Sequence, residues 1–208
     1  MAPLGLETVE QPAFNYFQVD AASDQAEDLA VLEGAGAASL VLFTSPRSVT
    51  HGLGQLPAGA LARTRVCAIG PATARALANA GIRVDVTPRQ GYTSEALLET
   101  LATEGPGLYV GEPHAFIIAA PGGRKKLAKG LRKLGWHPRL VFVYRPEPAP
   151  LDKANLSRLS GAGRVLTVWT SGGAMKSLSQ RLPPADWFRI CQGEWLVISK
   201  RLQRLARA

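Results

Sequence analysis

Short apolar runs rich in β-branched residues alternate along the chain with Ala/Leu-rich stretches of helical periodicity. The clearest runs are SLVLFT (39–44), RVCAIG (65–70), RVDVTP (83–88), FIIAAP (116–121), RLVFVY (139–144), RVLTVWT (164–170) and WLVIS (195–199). Most of these runs are continuously apolar, which is typical of strands buried on both faces of a parallel sheet. The alternation of strands and helices therefore predicts an α/β fold.

The stretches between the runs predict helices, and two of these end at Gly81 and Gly135. The predicted helices cover residues 24–32, 47–52, 72–80, 93–101, 124–134, 174–182 and 200–208. Proline and acidic residues are concentrated in YRPEPAPLDKANL (144–156), which predicts a connection between two parts of the chain.

The pattern also repeats. LVLFTSPRSV (40–49) corresponds to VLTVWTSGGAMKSL (165–178), since each is a strand that ends in Thr-Ser before a helix. A second pair, VCAIGPATARALANA (66–80) and WLVISKRLQRLARA (195–208), follows in the same order and at a similar distance. We therefore expect two lobes related by internal duplication, with a ligand cleft between them. The first would cover 21–147, and the second would combine 1–20 with 148–208.

Charge is distributed unevenly. The net charge is +8, yet no Lys or Arg precedes Arg47, whereas the segment 124–139 contains seven Lys or Arg residues and no acid. Such a field attracts nucleic acid, an anionic membrane or a small polyanion, although a basic helix face is often merely solvated. Nucleic acid is disfavoured because no aromatic residues are interleaved with these charges.

Other sequence features bear on location. No apolar run approaches the roughly 20 residues of a membrane span, and the first residues do not resemble a signal peptide. Cys67 and Cys191 lie in or beside apolar runs without metal-ligand spacing, so both are expected to be reduced core residues. A cytoplasmic protein that does not bind membranes is the prediction.

Candidate binding residues follow the predicted strands, where parallel sheets present amides and helix starts to anions. The alternative for the Ser and Thr residues is that they only cap helices. No complete phosphate-binding glycine motif is present, so a nucleotide site is weakly supported. The candidate residues are Thr44, Ser45, Gly70, Thr73, Gly122, Gly123, Arg124, Thr170, Ser171 and Ser199.

The usual catalytic groupings are missing. His51, His114 and His137 have neither metalloprotease spacing nor a nucleophile-elbow partner, and no close carboxylate pair follows a strand. Tyr144, at the end of the predicted strand RLVFVY, is the candidate catalytic residue, because a phenol can donate a proton to a leaving hydroxide. The alternative is a packed core aromatic.

Several of these segments together resemble uroporphyrinogen-III synthases of bacterial type. They are LVLFTSPRSV, VCAIGPATARALANAGIRVDVTP, YTSEALLETL, PGGRKKLAKGLRKLGWHPRLVFVYR, VWTSGGAMKSL and WLVISKRLQRLARA. The resemblance implies two flavodoxin-like lobes joined by a two-stranded linker. It also implies a cofactor-free closure of hydroxymethylbilane to uroporphyrinogen III, with loss of water and inversion of ring D.

By position, the resemblance makes Tyr144 the residue that assists loss of the hydroxyl, and Ser45, Thr73, Arg124, Ser171 and Ser199 contacts of the eight-carboxylate substrate. A monomer is expected. Family members usually begin with an additional strand and helix and continue beyond the last helix found here, so we expect the second lobe to be incomplete and open to association. A non-catalytic protein that binds anions or nucleotides is the alternative.

Overall fold

The computed structural model describes residues 7–36, 39–104, 112–122 and 125–207. The chain forms two compact units. The central unit is Tyr16–Arg145, and the flanking unit combines Met1–Asn15 with Pro146–Ala208. The central unit is thus continuous in sequence, whereas the flanking unit is made from both ends of the chain.

The strands of the described residues form three sheets, one of four strands and two of two strands. The strands are β1 (Phe14–Gln18), β2 (Leu40–Phe43), β3 (Arg65–Ala68), β4 (His114–Ala119), β5 (His137–Phe142), β6 (Tyr144–Pro148), β7 (Leu166–Trp169) and β8 (Glu194–Val197). The four-stranded sheet has the order β3-β2-β4-β5 with every pair parallel, and β7 pairs with β8 in parallel. The predicted α/β class with parallel sheets is confirmed.

The helices lie between these strands, and a short 3-10 turn covers Leu53–Gln55. The helices are α1 (Ala21–Asp24), α2 (Ala26–Glu33), α3 (Pro46–Gly52), α4 (Ala60–Arg63), α5 (Pro71–Asn79), α6 (Ser94–Glu104), α7 (Lys125–Lys133), α8 (Lys153–Gly161), α9 (Gly172–Arg181), α10 (Pro184–Gln192) and α11 (Lys200–Ala206).

One predicted strand is wrong. The run RVDVTP (83–88) is not a strand, and only Val86 forms an isolated bridge, to Cys67 of β3. The Asp85 carboxylate accepts a hydrogen bond from the Val66 amide at 2.8 Å, in addition to an ion pair with Arg83. A side chain thus takes one of the donors that a regular strand would pair with backbone, and Pro88 could donate none.

The core of the central unit lies on both faces of its sheet, because successive side chains of a strand point to opposite faces. Val41 and Phe43 of β2 belong to one buried cluster, and Leu40 and Leu42 belong to the other. All four are fully buried. Each such side chain contributes about 1.5–3 kcal/mol through burial, so β2 is a main source of stability in this unit.

The flanking unit has a core on one face of its sheet. Trp169 of β7 packs with Trp187 and Trp195, whose ring centroids are 6.2 and 5.6 Å from its own. The opposite face, which we call the bare face, consists of Leu166, Val168, Leu196 and Ile198, with 54–65% of each residue exposed. Parallel sheets normally have both faces covered.

The chain passes between the two units along β1 and β6, which pair with each other. The Val19 amide donates to the Val143 carbonyl, and the Ala149 amide donates to the Ala13 carbonyl. Because the residue numbers at these two points run in opposite directions, the strands are antiparallel. Both crossings are therefore made by extended, hydrogen-bonded chain.

The cysteine prediction is half correct. Cys67 is fully buried in β3, but Cys191 is exposed near the end of α10. On this helix Ile190 faces the core, and the next residue is rotated by about 100° toward solvent. No helix in the described ranges is long and apolar enough to cross a membrane.

Candidate functional site

Tyr144 is the first residue of β6, and only 8% of it is exposed. The prediction that it ends the preceding strand is wrong, because β5 stops at Phe142. The Val143 amide still donates to Ala119 of β4, while its carbonyl accepts from Val19. The chain thus changes partners at Val143, and Tyr144 starts the pairing with β1.

The Tyr144 hydroxyl lies 3.2 Å from Oγ of Ser45, a hydrogen bond in which either group can donate. Ser45 follows β2 and caps α3, because its Oγ accepts from the Ser48 amide at 3.1 Å. The Ser48 hydroxyl in turn accepts from the Ser45 amide, which completes a capping box. Capping and contact with Tyr144 therefore coexist in Ser45, and the cap fixes where its hydroxyl lies.

Three further side chains surround this pair. The His51 ring is stacked on Tyr144 with a centroid distance of 5.4 Å, and the Tyr16 ring meets it edge-on at 5.9 Å. The Arg47 guanidinium lies 3.9 Å above the centre of the Tyr16 ring. We call Ser45, Tyr144, His51, Tyr16 and Arg47 the tyrosine cluster. All five lie in the central unit.

Gln55 fixes the backbone on both sides of this cluster. Its amide nitrogen donates to the carbonyls of His51 at 2.6 Å and of Val143 at 3.3 Å, and its oxygen accepts from the Ala21 amide. Gly52 allows α3 to approach the sheet, since a Cβ there would lie 2.9 Å from Ile118. Val143, which precedes Tyr144, and His51, which stacks on it, are thus held by one shared amide side chain.

The other predicted residues of the central unit have mixed environments. Thr44 is buried and its hydroxyl donates to the Ile118 carbonyl at 3.0 Å, so that group is engaged inside the unit. Gly70 caps α5, Thr73 is buried in the first turn of that helix, and Gly122 has a φ of +82° that favours glycine. Gly123 and Arg124 lie outside the described residues.

The remaining three predicted residues belong to the flanking unit. Ser171 and Ser199 cap α9 and α11 by accepting from the amides of Ala174 and Leu202, and Thr170 is exposed. All three follow β7 or β8, whose carboxyl ends lie at the same edge of their sheet. The capping alternative is therefore seen in Ser171, and Ser199 caps its helix in the same way.

The amino ends of β4 and β5 contain an open depression lined by His114, Trp136, His137 and Arg139. Arg139 donates to Asp28 at 2.7 Å, and this hydrogen bond holds the pKa of its guanidinium above the ordinary value. The cation is already paired, and parallel sheets bind ligands at their carboxyl ends, so we place the candidate site at the tyrosine cluster. Among the residues that the structure describes, no group of three or more His, Cys, Asp or Glu residues could hold a metal ion.

Comparison with known proteins agrees with this architecture. The family model described as uroporphyrinogen-III synthase HemD matches residues 2–201. The chain belongs to the uroporphyrinogen-III synthase family. The resemblance found in the sequence is therefore confirmed over nearly the whole chain.

Individual members of the uroporphyrinogen-III synthase family share limited sequence identity with this chain. A protein of Methanothermobacter thermautotrophicus, provisionally named a uroporphyrinogen-III synthase, is 35% identical over 113 residues, which are 51% of this chain and 41% of that protein. The chain thus matches less than half the length of this curated relative.

Two crystal structures of Thermus thermophilus uroporphyrinogen III synthase have the same fold. A mutant form superposes with a TM-score of 0.61 at 20% identity and covers 94% of this chain and 77% of the other. The wild type gives a TM-score of 0.52 at 21% identity, with 96% and 76% covered.

The site residues that sequence reasoning missed are His51, Tyr16 and Arg47. Arg47 and His51 stand four residues apart on α3, a spacing that puts both on one side of the helix that Ser45 caps. That spacing was a usable signal. The sequence contained no comparable signal for Tyr16. This residue reaches Tyr144 only through the pairing of β1 with β6, which are far apart in the chain.

Proposed function

We propose that the protein closes hydroxymethylbilane to uroporphyrinogen III, with loss of water and inversion of ring D. Membership of the family supports this reaction class. The observation that carries the proposal is the hydrogen bond between Tyr144 and Ser45. Through it an almost fully buried tyrosine contacts the turn that follows β2. A buried phenol held in one orientation is suited to proton transfer.

In the proposed reaction the Tyr144 hydroxyl donates its proton to the hydroxyl oxygen of the substrate's hydroxymethyl group. The C–O bond breaks, water leaves, and the carbon becomes a cation conjugated with the adjoining pyrrole. Ring D then attacks this carbon through its substituted α-carbon, which forms a spiro intermediate. The older bond from that α-carbon to the carbon that bridges rings C and D breaks and re-forms at the other α-carbon of ring D, so the ring is inverted. The proton that this second α-carbon finally loses can return to the phenolate. The net change is the loss of one water, and no oxidant or reductant is needed.

Ser45 would support this step by holding the phenol. Its own position is set by the capping box with Ser48, so it can share a hydrogen bond with Tyr144 without changing rotamer. Preorganised donors are effective because no reorganisation is needed as charge develops. The Ser45 hydroxyl can also donate to the phenolate after the proton has left.

The substrate carries eight carboxylates, which suits a chain with net charge +8. We propose that the turns after the strands contact these groups, with Thr44 and Thr73 shaping their turns from buried positions. The contacts proposed for the turns are those of Ser45, Gly70, Gly122, Gly123, Arg124, Thr170, Ser171 and Ser199. A monomeric state and a cytoplasmic location stay predictions.

The direct test supplies the protein with hydroxymethylbilane made in situ and separates the product isomers after oxidation. We expect isomer III in excess of the isomer I that forms spontaneously. Isomer I alone would contradict the proposed activity and favour the non-catalytic alternative.

Tyr144→Phe tests the role of the phenol. We expect kcat to fall about 100-fold, since a positioned general acid contributes about 10²–10⁴, while circular dichroism shows an unchanged fold. Tyr92→Phe is the matched control, because Tyr92 is 57% exposed and lies outside the tyrosine cluster. Unchanged turnover in Tyr144→Phe would exclude a proton-donor role.

A further inference from the structure

Arg47 is a cation held in place by an aromatic ring. Its guanidinium carbon lies 3.9 Å from the centre of the Tyr16 ring, and the side chain is exposed. No ion pair to Arg47 occurs among the residues that the structure describes, although other arginines there, such as Arg139 and Arg158, contact carboxylates. The positive charge of Arg47 is therefore positioned by Tyr16 and, within the described part of the chain, is not paired with a carboxylate.

The backbone below this side chain is also fixed. Arg47 is the second residue of α3, directly after Pro46, and the capping box of Ser45 and Ser48 closes the same turn. Proline restricts the φ angle at the helix start, so the first turn has little freedom. Arg47 therefore points from a rigid turn, and stacking on Tyr16 further reduces the number of conformations of its long side chain.

The position of Tyr16 connects this cation to the proposed chemistry. The Tyr16 ring contacts the Tyr144 ring edge-on at 5.9 Å, so Arg47 and the candidate proton donor contact the same aromatic ring. Tyr16 is partly buried against the main core cluster of the central unit, which gives the ring a firm backing. The guanidinium and the reactive phenol are thus both positioned by contact with the Tyr16 ring.

A guanidinium is planar, so its N–H groups can form two parallel hydrogen bonds to one carboxylate. The restricted side chain loses less conformational freedom on binding than a flexible lysine would. An arginine that is immobilised without a salt bridge beside a reactive group is therefore suited to hold an anionic substituent of a substrate.

We propose that Arg47, supported by Tyr16, is a carboxylate-binding subsite that holds one acidic side chain of the substrate next to Tyr144. The inference rests on the proposed function for the identity of the substrate, and on the cluster geometry for the site itself. Arg47 binds and orients, and Tyr144 carries out the proton transfer. The subsite therefore contributes mainly to affinity, and KM should respond more strongly than kcat.

The test uses the full chain and two readouts. The first is steady-state kinetics with hydroxymethylbilane. The second is the Kd for uroporphyrin, a stable oxidised product with eight carboxylates, measured by fluorescence. For Arg47→Met we expect KM and Kd to rise about tenfold, the effect of losing one charge-assisted contact, with kcat changed by less than about threefold. Arg47→Lys should lie between, because it keeps the charge but not the planar fork.

Two matched variants separate local from general effects. Arg132→Met removes the same charge from the end of α7, which packs on the face of the sheet opposite to Tyr144, and is expected to behave as the unaltered protein. Tyr16→Leu removes the ring that supports the guanidinium and should reproduce the weaker binding of Arg47→Met.

Several results would overturn the carboxylate subsite. An Arg47→Met protein with unchanged KM and Kd, or with a lower kcat at constant KM, overturns the subsite. A loss of affinity equal to that of Arg132→Met also overturns it, because only the overall field would then matter. If the unaltered protein yields only isomer I but binds uroporphyrin in an Arg47-dependent way, the proposed reaction fails and the carboxylate subsite stands.

Discussion

Ser45 and Ser48 stabilise the turn before α3 with hydroxyl groups that differ in burial. Ser48 is fully buried, and its Oγ accepts from the amides of Thr44 and Ser45 and donates to the Ser45 carbonyl at 2.7 Å. Ser45 is partly exposed and exchanges bonds with Ser48 and Tyr144. Ser48 is thus the structural member of the pair, and Ser45 is the member whose hydroxyl can also take part in chemistry.

Ser48→Ala should reduce the free energy of unfolding by about 2 kcal/mol, because it removes the partner of the Ser45 amide and the second contacts of the Thr44 amide and the Ser45 carbonyl. Ser45→Ala should cost about 1 kcal/mol, the usual effect of losing an N-cap. Both can be measured by urea unfolding. Ser179→Ala is the control, since the Ser179 hydroxyl donates only to a carbonyl in its own helix. A cost for Ser48→Ala that is equal to or smaller than the cost for Ser45→Ala would contradict the roles assigned to the two serines.

At this scale the sequence predicted Ser45 and Tyr144 as candidates, because strand ends and helix caps are local patterns. Their contact joins residues 99 positions apart and could not be derived from either segment alone. His51 looked like one of three unrelated histidines, since its stacking on Tyr144 depends on how α3 packs. Residue type and spacing thus identified the participants, and tertiary packing determined which of them meet.

Among the elements, β7 and β8 depend on a close approach at Gly193. A Cβ at this position would lie 2.4 Å from the Val165 carbonyl oxygen, which accepts the hydrogen bond of the Glu194 amide at 2.9 Å. Because the nearest atom belongs to the backbone, a side-chain rotation cannot relieve the clash. Glycine is therefore required here for lack of space.

Gly193→Ala should lower the free energy of unfolding by about 1–3 kcal/mol, the usual cost of overpacking. Gly163→Ala is its matched control, since Gly163 lies in the same unit and a Cβ added there would have open space for 4 Å around it. That change should be neutral or slightly stabilising. Thermal unfolding followed by circular dichroism would compare the two. Equal effects would show that Val165 moves away easily.

The element predictions succeeded where a continuous apolar run was long enough to be a buried strand. They failed where a side chain competed with the backbone, as Asp85 does in the 83–88 segment. Besides the four-residue helices α1 and α4, two longer helices, α8 and α10, were not predicted. The first begins at its cap Asp152 inside a segment rich in proline, and the second begins at Pro184. Asp152 and Pro184 are visible in the sequence. A proline that starts a helix is nevertheless difficult to distinguish from one that interrupts it.

Over the whole molecule, the two units differ in how well their sheets are covered. In the central unit β2 has a hydrogen-bonded neighbour on each side and buried side chains on both faces. In the flanking unit the described sheet has two strands and one bare face. The sequence predicted the parallel sheets from their apolar runs. The resemblance also led us to expect an incomplete second lobe, but composition could not identify Leu166, Val168, Leu196 and Ile198 as the exposed residues, because buried and bare strands have the same composition.

Amide hydrogen exchange should reflect this difference. We expect amides of β2 and β4 to exchange at least about tenfold more slowly than those of β7 and β8. One face of the flanking sheet is already exposed, so opening this sheet uncovers less additional apolar surface and costs less free energy. Mass spectrometry of peptic peptides would measure both units in one sample. Equal protection would show that the bare face is covered in solution.

The pairing of β1 with β6 has a consequence for gene design. The central unit is encoded by one uninterrupted stretch of codons, 16–145, and its two ends emerge side by side on neighbouring strands. That stretch can therefore be cloned as a single cassette, and the gap that it leaves between codons 15 and 146 can be closed by a short turn. The molecule can thus be divided by two cuts in the coding sequence, without rearranging the order of either part.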